Sequence, residues 1–407
     1  MHILYRSIFE PSGYGLAAIA YVRALRNAGV AVTWQPLVWA ANGFAPITAA
    51  ALAAAQSWTA NDTSLSDLSA LLTPPQATGP ADICVLHAVP DYWPALRSSA
   101  PIHVGYATWE SASFPEHFRP FLDTISALIV PSAFNHHVLA PALRIPVYTV
   151  PHIRRHLWND ANPTLRKQLR QQIGISPCDT VFYSINDWTT RKNLEGLIRT
   201  FVHAFTAQDP VVLVLKTRAL AIDPHTMQER SAAEQFGQLY TALGPDAPRI
   251  QLVAGDTSAE LIDALHGIGS AYVSLSHGEG WGMGAFDAAS LGKPVIAPAW
   301  GGLRDFMGSH WQGTVQHHEA LMRLSPRQDA RIGEQIWCAP SQAHASQLMR
   351  HFVLDPAPFQ SEAVHIRQRV LNTFSEPQIG AQFATLLAQI AQSGAATATE
   401  PQARQKP

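Results

Sequence analysis

Two acids and a run of glycines fall together in Ser276-His277-Gly278-Glu279-Gly280-Trp281-Gly282-Met283-Gly284-Ala285-Phe286-Asp287. Glu279 sits among the glycines, and Asp287 follows with seven residues between them. Glycines let a backbone approach a ligand closely. Free N–H groups at a helix start attract phosphate and other anions, and carboxylates accept hydrogen bonds from sugar hydroxyls. Together these suit a phosphorylated sugar, a nucleotide-sugar above all. On this reading His277, Gly280, Trp281, Gly282, Met283, Gly284 and Asp287 bind the donor, and Glu279 acts on the sugar. An acid held among glycines has little to pair with structurally, which favours a functional role for Glu279. His277 has loop stabilisation as its alternative. Asp287 is placed in the first turn of a helix running from Ala285 to Leu291. A carboxylate there would also stabilise the helix dipole by about 0.3–1 kcal/mol.

Cations follow another strand-like run. Val181–Ile185 leads into Asp187-Trp188-Thr189-Thr190-Arg191-Lys192-Asn193. A fork-shaped Arg191 and a point-charge Lys192 both suit phosphate oxygens at a strand end. Lys216, closing the run Val211–Leu215, is a further candidate. The alternative for all three is an ordinary solvated charge.

Nearer the start, Pro11-Ser12-Gly13-Tyr14-Gly15 opens a helix. Gly13 and Gly15 are candidates to bind phosphate or acceptor, against a tight turn capped by Ser12. His87 ends the run Asp82–Leu86 and could orient a hydroxyl or move a proton; the alternative is a satisfied core histidine. Glu110, in Tyr106-Ala107-Thr108-Trp109-Glu110, is a carboxylate beside aromatic faces that pack on sugars, or else a salt-bridged acid. His152, near a linker, reads either as facing a cleft or as capping that linker. Eighteen histidines are scattered without His-Glu-x-x-His spacing. With no Asp-x-Asp motif either, metal-independent chemistry is expected, with a nucleotide-sugar as substrate and no cofactor.

The order Glu279-Gly280-Trp281-Gly282, then Asp287-Ala288, then Gly292-Lys293-Pro294-Val295, resembles the signature of glycosyltransferase family 4, also called group 1, whose members are retaining enzymes of GT-B fold. The likeness is weak over residues 1–100, better from Tyr106 to His152 and best from Val181 to Gly302. Asp287 stands where the family has Glu. Asp187 stands where it has Arg, five residues before Lys192, and Arg191 would compensate. Thr108 and Glu110 follow a strand after which some members place a His, and Trp109-Glu110-Ser111 resembles a bacterial subgroup.

The resemblance implies an α/β chain of two doubly wound Rossmann-like domains facing a cleft. It implies transfer of a hexosyl-like sugar, with retention, to a glycan, lipid-linked or other acceptor, as in polysaccharide biosynthesis. Lys192 and Arg191 would stabilise the leaving diphosphate, backbone N–H groups near Gly282–Gly284 would assist, and Asp287 would hold the ribose. Peripheral membrane contact is compatible with lipid-linked acceptors. Two rivals stand beside this: another GT-B enzyme, such as a sugar-phosphate synthase or phosphorylase, and a catalytically silent nucleotide-sugar-binding or scaffold subunit.

The elements that must position these residues are legible. A chain of 407 residues exceeds one ordinary core and suggests two domains. With 47% hydrophobic and 14% charged residues its composition is globular, and a net charge of −2 gives no footprint for nucleic acid. Three cysteines without a CxxC read as reduced cytoplasmic thiols. Met1–Tyr5 reads as a strand rather than a leader, and no apolar run is long enough to span a membrane.

Short apolar strands alternate with helical patterns, the mark of parallel layering. Strands are expected at Met1–Tyr5, Ala31–Leu37, Asp82–Leu86, Ile102–Ala107, Ala127–Val130 and Val147–Val150. A second set follows at Val181–Ile185, Val211–Lys216, Ile250–Val253, Ala271–Leu275 and Pro294–Ala297. Helices are expected at Leu16–Asn27, Ile47–Gln56, Ala133–Leu143, Asn193–Ala207, Glu229–Leu243 and Ala259–His266. The expected organisation is 1–155 as an acceptor domain and 156–375 as a nucleotide-sugar domain. By resemblance, a helix over 376–393 crosses back to the first domain. A frayed tail is expected over 394–407.

Overall fold

The computed structural model describes residues 1–10, 12–40, 43–48, 52, 66–72, 80–154, 163–222, 229–255, 257–322 and 335–399. It divides into two units, the first formed by Met1–Trp109, Phe114–Ile153 and Phe374–Pro407, the second by Glu110–Ser113 and Arg154–Thr373.

The first unit is built on β1 (His2–Ile8), β2 (Ala31–Ala40), β3 (Gly43–Pro46), β4 (Ile83–His87), β5 (Ile102–Tyr106), β6 (Ala127–Val130) and β7 (Val147–Thr149), in the order β3-β2-β1-β4-β5-β6-β7. All pairings are parallel except β2 with β3 at the edge. Strands such as β4 and β5 are buried throughout, as parallel strands covered on both faces must be. Helix α1 (Gly13–Asn27) starts where Ser12 Oγ accepts from Gly15 N–H at 3.2 Å. Its apolar face, with Ala17, Ala18, Tyr21, Val22 and Leu25, enters the core. Helix α2 (Ala133–Leu139) is shorter than expected, ending in a 3-10 turn over Ala140–Ala142.

The second unit holds α3 (Pro163–Gln172), β8 (Thr180–Ile185), α4 (Leu194–Ala204), β9 (Val211–Thr217), α5 (Ala232–Ala242), β10 (Arg249–Ala254), α6 (Ala259–Ile268), β11 (Ala271–Val273), α7 (Met283–Ser290), β12 (Val295–Pro298), α8 (Leu303–Met307) and β13 (Thr314–Val315). The sheet order is β10-β9-β8-β11-β12-β13, all parallel. Then come the antiparallel pair β14 (His317–Met322) and β15 (Gln335–Pro340), and helices α9 (Gln342–Leu354) and α10 (Ala357–Thr373). In this sheet β8 has β9 on one side and β11 on the other, so the order of winding reverses there. Open α/β sheets bind ligands outside the strand ends at such a switch point. The loops after β8 and β11 carry the motifs singled out above.

The last helix, α11 (Glu376–Thr399), belongs to the first unit. Ile379, Phe383 and Leu387 are buried in its core, and Gly380 lies so near α1 that a Cβ would come within 2.8 Å of the Ala24 carbonyl oxygen. The helix runs on to Thr399, so the first part of the expected tail is helical. Among the described residues no helix is long and apolar enough to cross a membrane.

Two boundaries move in ways that matter. Glu229–Ser231 does not open a helix; it pairs antiparallel with Leu220–Ile222, and Ser231 then caps α5 by accepting from Glu234 N–H. Helix α7 begins at Met283 rather than Ala285, with no acid in its first turn. Asp287 therefore belongs to the second turn, where the dipole contribution expected of it has largely decayed. Most of the helix expected over Ile47–Gln56, and residues 155–162 around the expected domain boundary, lie outside the described residues.

Candidate functional site

In the second unit the loop after β8 is fastened to the loop after β11. Asn193 takes left-handed backbone angles, φ 52°, as the N-cap of α4. Asn is among the few residues that tolerate this region. Its Nδ2 donates to the Leu275 carbonyl at 3.0 Å. His277 N–H and Ser276 Oγ both donate to the Arg191 carbonyl, at 2.8 and 3.1 Å.

This brings four charged side chains together. Lys192 Nζ donates to both oxygens of Glu279, at 2.6 and 2.7 Å. Arg191 donates to the Gly278 carbonyl at 2.7 Å and stands 3.8 Å from Glu279 and 3.3 Å from Glu110. The sequence leaves Glu279 without an evident partner, and the structure corrects this: the β8–β11 arrangement delivers a lysine to it across the switch point. Burial alone would raise the Glu279 carboxyl, but Lys192 and Arg191 overcome that and hold it below the usual carboxylate range. Burial likewise pulls Arg191 down, and Glu110, Glu279 and Asp187 outweigh it, so the guanidinium stays charged.

The glycines have steric reasons. Gly282, the N-cap of α7, has φ 90°. A Cβ on Gly284 would collide with Tyr272 Oη, and one on Gly301, itself at φ 63°, with the Glu279 carbonyl oxygen. Gly302 N–H donates to that same oxygen at 3.0 Å. Gly301, Gly302, Asn193 and Tyr272 were not singled out from sequence. For Gly301 and Gly302 the available signal is a Gly-Gly pair two residues beyond a buried strand.

The second unit also carries the candidates Trp281, Met283, His277, Asp287 and Lys216. Trp281 is 2% exposed and packs on Phe286 and Phe306, with centroids 5.2 and 5.5 Å away. Its ring anchors the loop in the core, so only its backbone remains for a ligand. Met283 is half-buried. His277 Nδ1 is 2.8 Å from the Cys338 carbonyl, which can only accept, so Nδ1 carries the proton and Nε2 the lone pair. Burial lowers its pKa, keeping the ring neutral. Asp287 is 6% exposed. Lys216 Nζ donates to the Gly255 and Thr217 carbonyls at 2.9 and 3.2 Å.

Gly13, Gly15 and His87 belong to the first unit. Gly13 is exposed, while Gly15 is buried where a Cβ would collide with the Glu10 carbonyl oxygen. His87 is 1% exposed, with Nδ1 2.8 Å from Tyr5 Oη and its ring 4.2 Å from that of Tyr106 and 5.0 Å from that of Tyr14. Burial, helped by His152, pushes its pKa well down. Its ring is thus packed among aromatic side chains, with Nδ1 paired to Tyr5. His152, 5% exposed, joins the same cluster through Tyr21 Oη at 3.1 Å. Among the described residues no group of three or more His, Cys, Asp or Glu side chains is placed to hold a metal ion.

No known family profile matches the sequence, and no curated protein matches it. Solved structures do match its fold. Sucrose-phosphate synthase from Thermosynechococcus elongatus superposes with a TM-score of 0.64 at 16% identity, over 97% of this chain and 100% of that one. A glycosyltransferase from Rickettsia africae gives 0.63 at 14% identity, over 96% and 98%. Anabaena HepE, in complex with UDP and glucose, gives 0.62 at 15% identity, over 96% and 100%. The fold is that of the GT-B class, two Rossmann-like units with parallel sheets.

Proposed function

We propose that this chain is a glycosyltransferase that moves a sugar from a nucleoside-diphosphate donor to a hydroxyl acceptor. The observation that carries the reading is the joining of Arg191 and Lys192 to Glu279 at the switch point of the second sheet, in the loop that opens α7. When the bond between sugar and phosphate breaks, negative charge develops on the diphosphate. Two fixed cations and the free N–H groups of a helix N-terminus stabilise that charge without reorganising. Lys192 has three N–H donors, of which two point to Glu279, leaving one for a phosphate oxygen. Glu279 accepts from sugar hydroxyls and Asp287 from the ribose.

The solved relatives support this reading: HepE was crystallised with UDP and glucose, and a further structure of this fold, WaaG, is a glycosyltransferase involved in lipopolysaccharide biosynthesis. The reading includes retention of configuration, with the leaving phosphate taking the acceptor proton. It includes metal independence, because Arg191 and Lys192 supply the positive charge a divalent ion would otherwise bring. The acceptor is a glycan or lipid-linked hydroxyl carried by the first unit.

The test is release of nucleoside diphosphate from UDP-, GDP-, ADP- and dTDP-sugars with pooled glycan and lipid acceptors, with and without EDTA. Release is expected from one donor, unchanged by EDTA and lost in Lys192→Ala, and NMR of the product should show the donor's anomeric configuration. Donor binding without turnover under every condition would overturn the reading in favour of a silent binding subunit.

A further inference from the structure

Arg218 leaves the same edge of the second sheet and plays no part in the cluster described above. Ile185 and Lys216 are register partners at the ends of β8 and β9. The ladder runs one step further, with Asn186 N–H donating to the Lys216 carbonyl at 3.0 Å. Asp187 and Arg218 therefore leave the sheet side by side, and Arg218 Nε lies 3.2 Å from Asp187 Oδ1. Their side chains are 51% and 44% exposed. An open ion pair of this kind contributes about 0–1 kcal/mol to stability, so a more highly charged ligand can open it at little cost.

Of the neighbouring cations, Lys192 directs two of its three N–H donors to Glu279, and Lys216 is held by two carbonyls. We propose that Arg218 is a further donor-binding residue, a guanidinium for the phosphates of the nucleoside diphosphate, and that Asp187 is its counter-ion while the site is empty. This rests on the glycosyltransferase reading. A planar guanidinium offers paired N–H groups matched to phosphate oxygens. A diphosphate carries more charge than one carboxylate and displaces Asp187 from the fork. Asp187 also acts on Arg191, so it tempers two of the cations at this strand end.

The two residues are expected to act in opposite directions, which separates this role from that of a structural pair. Calorimetric titration with UDP, GDP, ADP and dTDP is carried out on the full chain, on Arg218→Ala and on Asp187→Asn. Arg218→Ala should weaken the nucleotide that binds by about tenfold, as loss of a charge-assisted hydrogen bond does. Asp187→Asn should tighten it by about two- to fivefold, since a neutral side chain frees the guanidinium. Arg218→Lys should recover part of the loss. Unchanged affinity in Arg218→Ala, or weaker binding in Asp187→Asn, overturns the assignment while the glycosyltransferase reading stands. A wild-type chain that binds none of the four overturns both.

Discussion

Lys192 Nζ reaches both carboxylate oxygens of Glu279, at 2.6 and 2.7 Å, and so ties together two loops 87 residues apart in sequence. The lysine arrives from the loop after β8, the glutamate from the loop after β11, and the sheet places those strands next to each other. Each charge is largely withdrawn from solvent, with 15% and 11% of the side-chain surface exposed. Neither can be deleted without leaving the other in a poorly solvated place. Mutants of the two should therefore differ in kind.

Glu279→Gln should fold and lose turnover by about 100-fold or more if the carboxylate acts on the sugar in the transition state. Its effect on product binding should be opposite in sense. Lys192 then faces a neutral amide, so nucleoside diphosphate affinity should hold or improve. Steady-state rates and calorimetry on one preparation check both halves. Near-native turnover in a folded variant would remove Glu279 from the chemistry.

Lys192→Ala should cost both binding and stability. Glu279 would keep Arg191 at 3.8 Å but lose its closest cation, for about 1–3 kcal/mol. The pH dependence follows from the depressed Glu279 carboxyl. Its contribution to stability is fully present above the usual carboxylate range and is lost as pH falls through the lowered value. Without Lys192 that value rises, so acid unfolding should begin at higher pH than in the wild-type chain. Coincident acid transitions would show that the pair contributes nothing to stability.

The central parallel strands are readable because they are buried on both faces and appear as short apolar runs. That made the two sheets legible, and with them the strand ends carrying Lys192, Lys216 and Glu279. What the sequence hid was pairing across the switch point. No local pattern announces that Lys192 meets Glu279, so the acid looked partnerless. Burial at strand ends was hidden too: His87 looks like a site residue at the end of β4, yet the rings of Tyr5, Tyr14, Tyr21 and Tyr106 gather around it. The start of α7 was misplaced because Gly282 and Gly284 read as loop, whereas one is the left-handed cap and the other a helical residue needed for close packing.

Gly284→Ala tests that packing. Its new methyl would collide with Tyr272 Oη and lie 3.0 Å from the Ile185 carbonyl oxygen. The first turn of α7 must shift, at about 1–3 kcal/mol, the usual cost of overpacking. Diphosphate affinity should fall by about tenfold or more if N–H groups of that turn bind phosphate. Lost stability with intact affinity would take the turn out of the phosphate site.

His152 gives a pH signature for the first unit. Burial lowers its pKa to about 3, so the ring stays neutral in the folded chain while the unfolded chain takes up a proton near pH 6.5. Its contribution is complete above about pH 6.5 and is lost as pH falls toward 3, at about 1.4 kcal/mol per pH unit. His152→Gln should show a shallower loss of stability than the wild type across that window. Parallel curves from urea melts at several pH values would mean that His152 titrates normally in the folded state.

Asp287 is the point at which the chain departs from the motif it resembles. It lies in the second turn of α7 and is 6% exposed, so the dipole explanation for an acid there has little force. If its carboxylate holds the ribose, Asp287→Asn should raise the donor KM by about tenfold and leave kcat nearly unchanged, because a contact made equally in ground and transition states is uniform binding. Asp287→Glu restores the family's residue and should keep the donor KM near or below that of the wild type. It must also fit an extra methylene into a buried position, at a cost of about 1–3 kcal/mol. Donor kinetics and melting curves on both variants separate the two roles. If both lose stability while the donor KM stays constant, Asp287 is a structural acid, and the donor site rests on Glu279, Lys192 and Arg191 alone.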